Sequence, residues 1–210
     1  MQEAGSTRKQ IMLMLKTDGP MTVSEIAQKL GVTEMAVRRH VGTLERDGLV
    51  RSKLLRQSMG RPTSQYYLTE KSEDHFPKSY SSFTLEILEE LEDSSGTGMI
   101  DRLFRSREKR LTEQHRAMFE SGDLREKVKK LAELQDSKGY MVEWEELPDG
   151  RFRLVEYNCP IARVANRYNQ ACQCEINWFR NLLDADVERT ECKANGGRNC
   201  VYDIRPRKSS

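Results

Sequence analysis

All five cysteines of this 210-residue chain fall in its last quarter. Cys159, Cys172 and Cys174 lie in "NCPIARVANRYNQACQC", and Cys192 and Cys200 follow in "ECKANGGRNC". Thiols gathered in this way bind zinc, hold an iron–sulfur cluster, or cycle between free and disulfide forms. The N-terminus, "MQEAGSTRKQIML", lacks the apolar stretch and cleavage site of a signal peptide. No apolar run reaches the roughly 18 residues that span a bilayer. The expected setting is the cytoplasm, without a membrane partner. Thiols stay reduced there, so metal or cluster binding is expected ahead of a disulfide framework.

Spacing narrows the ligand set. Cys172 stands four residues before Ile176, on what reads as the inward face of a helix, and Cys174 lies about 200° further round at helical pitch. Cys192 and Cys200 flank a hairpin loop and face each other across it. The convergent set is therefore Cys159, Cys172, Cys192 and Cys200, with Cys174 in reserve. Structural zinc favours a C-x₂-C knuckle, which is absent. An iron–sulfur cluster tolerates ligands from several elements, and free or reversibly oxidised thiols, including a Cys192–Cys200 disulfide, remain open. His40, His75 and His115 lie outside this segment, and Glu175 and Glu191, although next to cysteines, read as solvated. There is no C-x-x-C pair, no nucleotide-binding glycine loop and no histidine beside a cysteine in sequence, so an enzyme is not expected.

The elements that must carry the cysteines read as a small α+β domain over 139–205. "YMVEWEELPDGRFRLVEYN" is a hairpin about Pro148-Asp149-Gly150, followed by two helices and a closing pair of strands, "VERTEC" and "CVYDI". Ile176, Phe179, Leu182 and Leu183 mark the buried face of the second helix. Residues 83–135 read as a helical connector suited to dimer packing or to lying over the next domain. Phe83, Ile87 and Leu91 form one stripe there, Leu124, Val128, Leu131 and Leu134 another, and Asp123 caps the last helix.

Residues 6–71 carry a different signature. Ile11 and Leu15 mark a helix stopped by Asp18-Gly19-Pro20. Thr22 and Glu25 form a capping box for a second helix that ends at Gly31, and a third opens at Thr33 with Val37, Val41 and Leu44 on one face. Met35, Arg38, Arg39 and Thr43 point away from that face. Strands over 49–55 and 65–69 follow, joined by "RQSMGRPTS", whose tip bears Arg56 and Arg61. A helix-turn-helix followed by a hairpin closely resembles the winged helix of bacterial repressors. That resemblance implies a third helix in the major groove of an operator duplex. Arg38 and Arg39 would then meet guanine edges or phosphates, Thr33 and Thr43 phosphates, and the wing arginines the minor groove or a phosphate strand. It also implies a homodimer on paired half-sites.

The whole order, namely winged helix, helical connector, "NCP", twelve residues, Cys172 and a late Cys200, resembles the Suf-type regulators. These are winged-helix repressors that carry an iron–sulfur cluster and control genes for building such clusters. The resemblance implies thiolate ligation by Cys159, Cys172 and Cys200, and a repressor sensing cluster, redox or iron status. "CQC" departs from the pattern, and Cys192 as fourth ligand rests on geometry. The alternative is a winged-helix regulator with a structural zinc or a small-molecule site in its C-terminal domain.

Overall fold

The computed structural model describes residues 6–55 and 62–207, which form two compact units divided between Lys78 and Ser79. The architecture is α+β, with a winged helix-turn-helix, a helical region and a small sheet domain in chain order.

In the first unit, α1 (Thr7–Thr17), α2 (Val23–Leu30) and α3 (Glu34–Arg46) bury Ile11, Leu15, Ile26, Val37, Val41 and Leu44 in one core. The capping box forms as its sequence requires: Thr22 Oγ1 accepts from the Glu25 amide and the Glu25 carboxylate accepts from the Thr22 amide. Gly31 closes α2 at φ +66°, a left-handed conformation that glycine adopts without Cβ strain. The wing strands β2 (Val50–Leu55) and β3 (Thr63–Leu68) pair antiparallel. Two elements lay hidden in the sequence. Met21–Thr22 forms a short β1 on the far side of β3, giving the order β1-β3-β2, and Glu70–His75 forms a 3-10 turn. A two-residue strand has no period of its own to reveal it.

In the second unit the helices expected as a connector lie over the cysteine-bearing elements, the second of the two placements their periodicity allowed. α4 (Tyr80–Ser95), α5 (Thr97–Phe119) and α6 (Leu124–Ser137) share a single hydrophobic core with the sheet β4 (Val142–Glu146), β5 (Phe152–Glu156), β6 (Ala185–Glu191) and β7 (Cys200–Pro206). Two further helices, α7 (Ala162–Arg167) and α8 (Gln170–Leu183), belong to the same core. The sheet is antiparallel, in the order β4-β5-β7-β6. Alternation turns Phe152, Leu154, Tyr202, Ile204 and Val187 inward, beneath the helices. On α4, Leu88 is the buried position and Leu91 packs against the core, while Phe83 and Ile87 of the expected stripe are exposed. α5 and α6 bury Ile100, Phe104, Val128 and Leu131 against the C-terminal elements, so they are walls of that domain.

α8 is the central helix. The expected face of Ile176, Phe179, Leu182 and Leu183 is buried, but so are Cys174, Glu175 and Trp178, because α5 covers the side turned away from the sheet. One shared core predicts one cooperative transition. Leu154→Ala, at a fully buried position, is expected to remove about 2–5 kcal/mol. Urea melts followed by far-ultraviolet dichroism and by tryptophan fluorescence should shift together, since α5, α6 and the sheet unfold as one body.

Candidate cysteine site and nucleic-acid interface

Four chain segments bring cysteines to one end of the sheet. Cys159 follows β5, Cys172 lies in the first turn of α8, Cys192 directly follows β6, and Cys200 opens β7. Cys172, Cys192 and Cys200 are buried and Cys159 is half-buried, all as free thiols. The sulfurs of Cys159 and Cys200, of Cys200 and Cys192, and of Cys192 and Cys172 are near enough to act on one another electrostatically. Among the described residues, no three His, Cys, Asp or Glu side chains converge in the way a single metal ion requires.

Cys174 sits apart. Its sulfur accepts a 3.4 Å hydrogen bond from Arg107 Nη1 of α5, on the side of α8 away from the sheet. Two residues of helix between Cys172 and Cys174 are enough to direct them to different neighbours.

The Cys192–Cys200 loop is built to a fixed shape. Glu191 Oε1 accepts from the amides of Arg198 (2.6 Å) and Asn199 (3.0 Å), and Gly197 N donates to Cys192 O at 2.9 Å. A Cβ on Gly197 would lie 2.7 Å from Glu191 Cγ and 2.8 Å from Cys192 O, so the turn admits only glycine without rearrangement. Glu191, expected to be solvated, is thus the organiser of the loop. Across it, the Lys193 amide donates to Cys200 Sγ at 3.5 Å. Backbone donors of this kind tune sulfur ligands.

Behind the cysteines lies a polar cluster that their neighbours in sequence conceal. Glu156 and Glu175 are 1% and 7% exposed. Gln135 Nε2 donates to Glu156 Oε1 at 2.9 Å and to Glu175 Oε1 at 3.3 Å. The Tyr202 hydroxyl lies 3.3 Å and 3.4 Å from the second oxygens of the same two carboxyls. Burial first, and then the charge of Glu175, push the Glu156 carboxyl well above its ordinary range, and burial also raises Glu175. Two carboxyls share Gln135 and Tyr202 as donors in a dry site, Glu175 taking a further hydrogen bond from Tyr140, and burial with mutual repulsion favours a proton held on the pair. The signal for Glu156 is present in β5, where Phe152, Leu154 and Glu156 alternate onto the inner face. Glu175 stands three residues from Cys172 on α8, close to its face.

The thiols respond to the same environment. Burial pushes Cys159 up to about 11, and Cys172 and Cys200 up to about 12. Thiols so placed are protonated and unreactive at neutral pH, and any metal they take up must displace their protons. Arg189, inward on β6 opposite Tyr202, is the cation of the site and donates to the Cys172 carbonyl at 3.5 Å. A β-bulge between Arg189 and Glu191 ends the regular ladder just before Cys192. Cysteines from four segments, a backbone donor to sulfur and a nearby guanidinium are the donor types that a soft, sulfur-ligated group takes once the thiols lose their protons.

In the first unit, α3 presents Met35 (77% exposed), Arg38 and Arg39 outward. Arg38 pairs with Glu34 at 3.2 Å. Thr33 Oγ1 accepts from the Ala36 amide and caps α3, and the half-buried Thr43 hydroxyl donates to Arg39 O. Both hydroxyls therefore have helix partners in addition to any phosphate contact. Arg51 and Lys53 of β2 are exposed and add basic charge that the sequence reading did not single out. Arg56 and Arg61 lie outside the described residues.

Residues 4–53 match the helix-turn-helix domain family. No curated protein matches the chain. Among solved structures, the transcriptional regulator Tm0710 from Thermotoga maritima is 23% identical, covering 48% of this chain and 79% of its own, with a TM-score of 0.29. RV1404 from Mycobacterium tuberculosis is 21% identical over 49% of this chain and 70% of its own, with a TM-score of 0.31. A ZitR variant from Lactococcus lactis, in complex with DNA, is 24% identical over 54% of this chain and 80% of its own, at 0.28. At such TM-scores these likenesses carry no weight for function.

The buried carboxyl pair sets a pH dependence. A carboxyl raised in the folded state stabilises the fold below its unfolded value of 4.5, and that contribution is lost as pH rises through the folded value. The metal-free protein is therefore expected to melt at lower temperature as pH is raised from about 5 to 9, and Glu175→Gln to flatten the slope. Scanning calorimetry across that range is the check; equal slopes in the two proteins would refute a retained proton.

Proposed function

We propose that the chain is a homodimeric, DNA-binding transcriptional repressor whose C-terminal unit holds an iron–sulfur cluster and so reports cluster, redox or iron status. The single observation that carries the sensor reading is the approach of Cys159, Cys172, Cys192 and Cys200 from four segments to one buried end of the sheet. A lone tetrahedral zinc with bonds near 2.3 Å needs its sulfurs about 3.8 Å apart. The described cysteines do not converge in that way. A polynuclear group, in which the metal atoms share out the thiolates, accommodates a wider opening. The DNA-binding reading rests on the winged helix-turn-helix and on the outward basic face of α3, where Arg38 and Arg39 are exposed.

Bound at this site, a cluster supplies a redox- and oxygen-labile cross-link between the four segments. The protein does the rest. Cys159 fixes the turn after β5, Cys172 the start of α8, and Cys192 and Cys200 the two sides of a loop already held by Glu191. Arg189 offsets the negative charge of deprotonated thiols, and the carboxyl pair, by keeping a proton, avoids adding a second buried anion. α8 packs along α5, and α5 is in hairpin with α4, the helix that follows the winged helix in sequence. Constraint on α8 thereby reaches the helices expected to pair two copies, and DNA affinity is linked to ligation. In line with the family resemblance, the ligated form is taken as the tighter binder.

Protein purified without oxygen is expected to be brown, to absorb near about 400 nm, and to contain iron and sulfide in matching amounts. Serine at Cys159, Cys172, Cys192 or Cys200 should abolish the colour, whereas Cys174→Ser should keep it. A colourless protein with about one zinc per chain would instead make the site structural. On an operator selected from random duplexes by the wild-type protein, Arg39→Ala is expected to weaken binding about tenfold and to reduce the salt dependence. Unchanged affinity across a salt titration would remove α3 from the interface.

A further inference from the structure

The two helices of the α4–α5 hairpin are oppositely charged. α4 carries five acidic residues and no basic one, and α5 carries six basic residues against three acidic. Part of the acidity of α4 is used within the unit: Arg167 lies 3.7 Å from both Glu89 and Glu92, and the Tyr168 hydroxyl donates to Glu92 at 3.1 Å. Glu86, Glu90 and Asp93 are different. They recur at i, i+4 and i+7 on one exposed face and form no ion pair among the described residues. Beside them, Phe83 and Ile87 are 62% and 48% exposed. α5 exposes Leu103 (41%) together with Arg102, Lys109 and Arg110, none of which is in an ion pair among the described residues.

An apolar strip alone does not name its occupant, but its charges do. Glu86 to Asp93 spans about 10 Å of helix and Arg102 to Arg110 about 12 Å, so the two charged stretches match in length. A hairpin with one acidic and one basic helix is complementary to itself under a two-fold axis, because α4 then meets α5 of the other copy twice. Pairing α4 with α4 would instead oppose like charges. We propose that the exposed face of the α4–α5 hairpin is where two copies of this chain pair, α4 of each against α5 of the other. The proposal rests on the homodimer reading above and adds its surface and its charge code.

The test is a charge swap on the full chain, with mass measured by light scattering and folding checked by circular dichroism. One set is Glu86→Lys, Glu90→Lys and Asp93→Lys; the other is Arg102→Glu, Lys109→Glu and Arg110→Glu. Each set alone is expected to weaken self-association by about tenfold or more, and an equimolar mixture to restore a one-to-one heterodimer. Phe83→Ser with Ile87→Ser provides a second disruption, expected to act in the same direction, should either charge set fail to fold. If the wild type is dimeric and both sets remain so, or if the mixture does not recombine, this surface is wrong while the homodimer reading stands. A monomeric wild type overturns both.

Discussion

Helix α8 is buried on two sides, against the sheet through Ile176, Phe179 and Leu183 and against α5 through Cys174 and Trp178. Burial of both faces leaves the helix no freedom to rotate, since any turn about its axis would drive packed side chains into a neighbour. That fixes where Cys172 points relative to Cys192 and Cys200. It also separates Cys174 from them by placing α5 against its side of the helix. The arrangement of the cysteines is therefore a consequence of core packing, and their side chains share the rigidity of the core.

The inner face of the sheet changes character along its length. At one end Phe152, Leu154, Val187 and Ile204 form an apolar layer. At the other, Glu156, Tyr202, Arg189 and Cys200 occupy the same inward positions on the same strands. Polar groups kept this dry must satisfy one another or hold a proton. They do so through Gln135, Tyr202 and Tyr140, although Gln135 Oε1 finds no partner among the described residues. A core made less stable in this way is typical of a region retained for something other than stability. Burial raises the Cys159, Cys172 and Cys200 thiols for the same reason.

The N-terminal unit has a simpler logic. Its core is apolar but for Ser72, whose buried hydroxyl donates to Thr69 O, and basic residues are displayed on α3 and the wing strands, where exposed charge costs little stability. Chemistry that must be buried and chemistry that must be exposed are thus assigned to separate units of the chain. The α4–α5 hairpin, at the start of the second unit, carries both an inward apolar face and an outward charged one.

The sequence by itself determined the local elements and the class of chemistry. Capping at Thr22 and Asp123, the stop at Gly31, the stripe of Val37, Val41 and Leu44, and the turn at Pro148-Asp149-Gly150 all act within a few residues, so the chain encodes them directly. The same holds for the approach of Cys192 to Cys200 across a loop and for the divergence of Cys172 from Cys174, which helical pitch dictates. Only the tertiary structure decided that α4, α5 and α6 belong to the cysteine unit, that Phe83 and Ile87 are left exposed, that β1 joins the wing, and that Glu156 and Glu175 share a buried site. Each of these depends on which element covers a given face. That is settled by contacts between residues as far apart as Gln135 and Glu175; the β5 alternation turns Glu156 inward, but no local period records which residues it meets there.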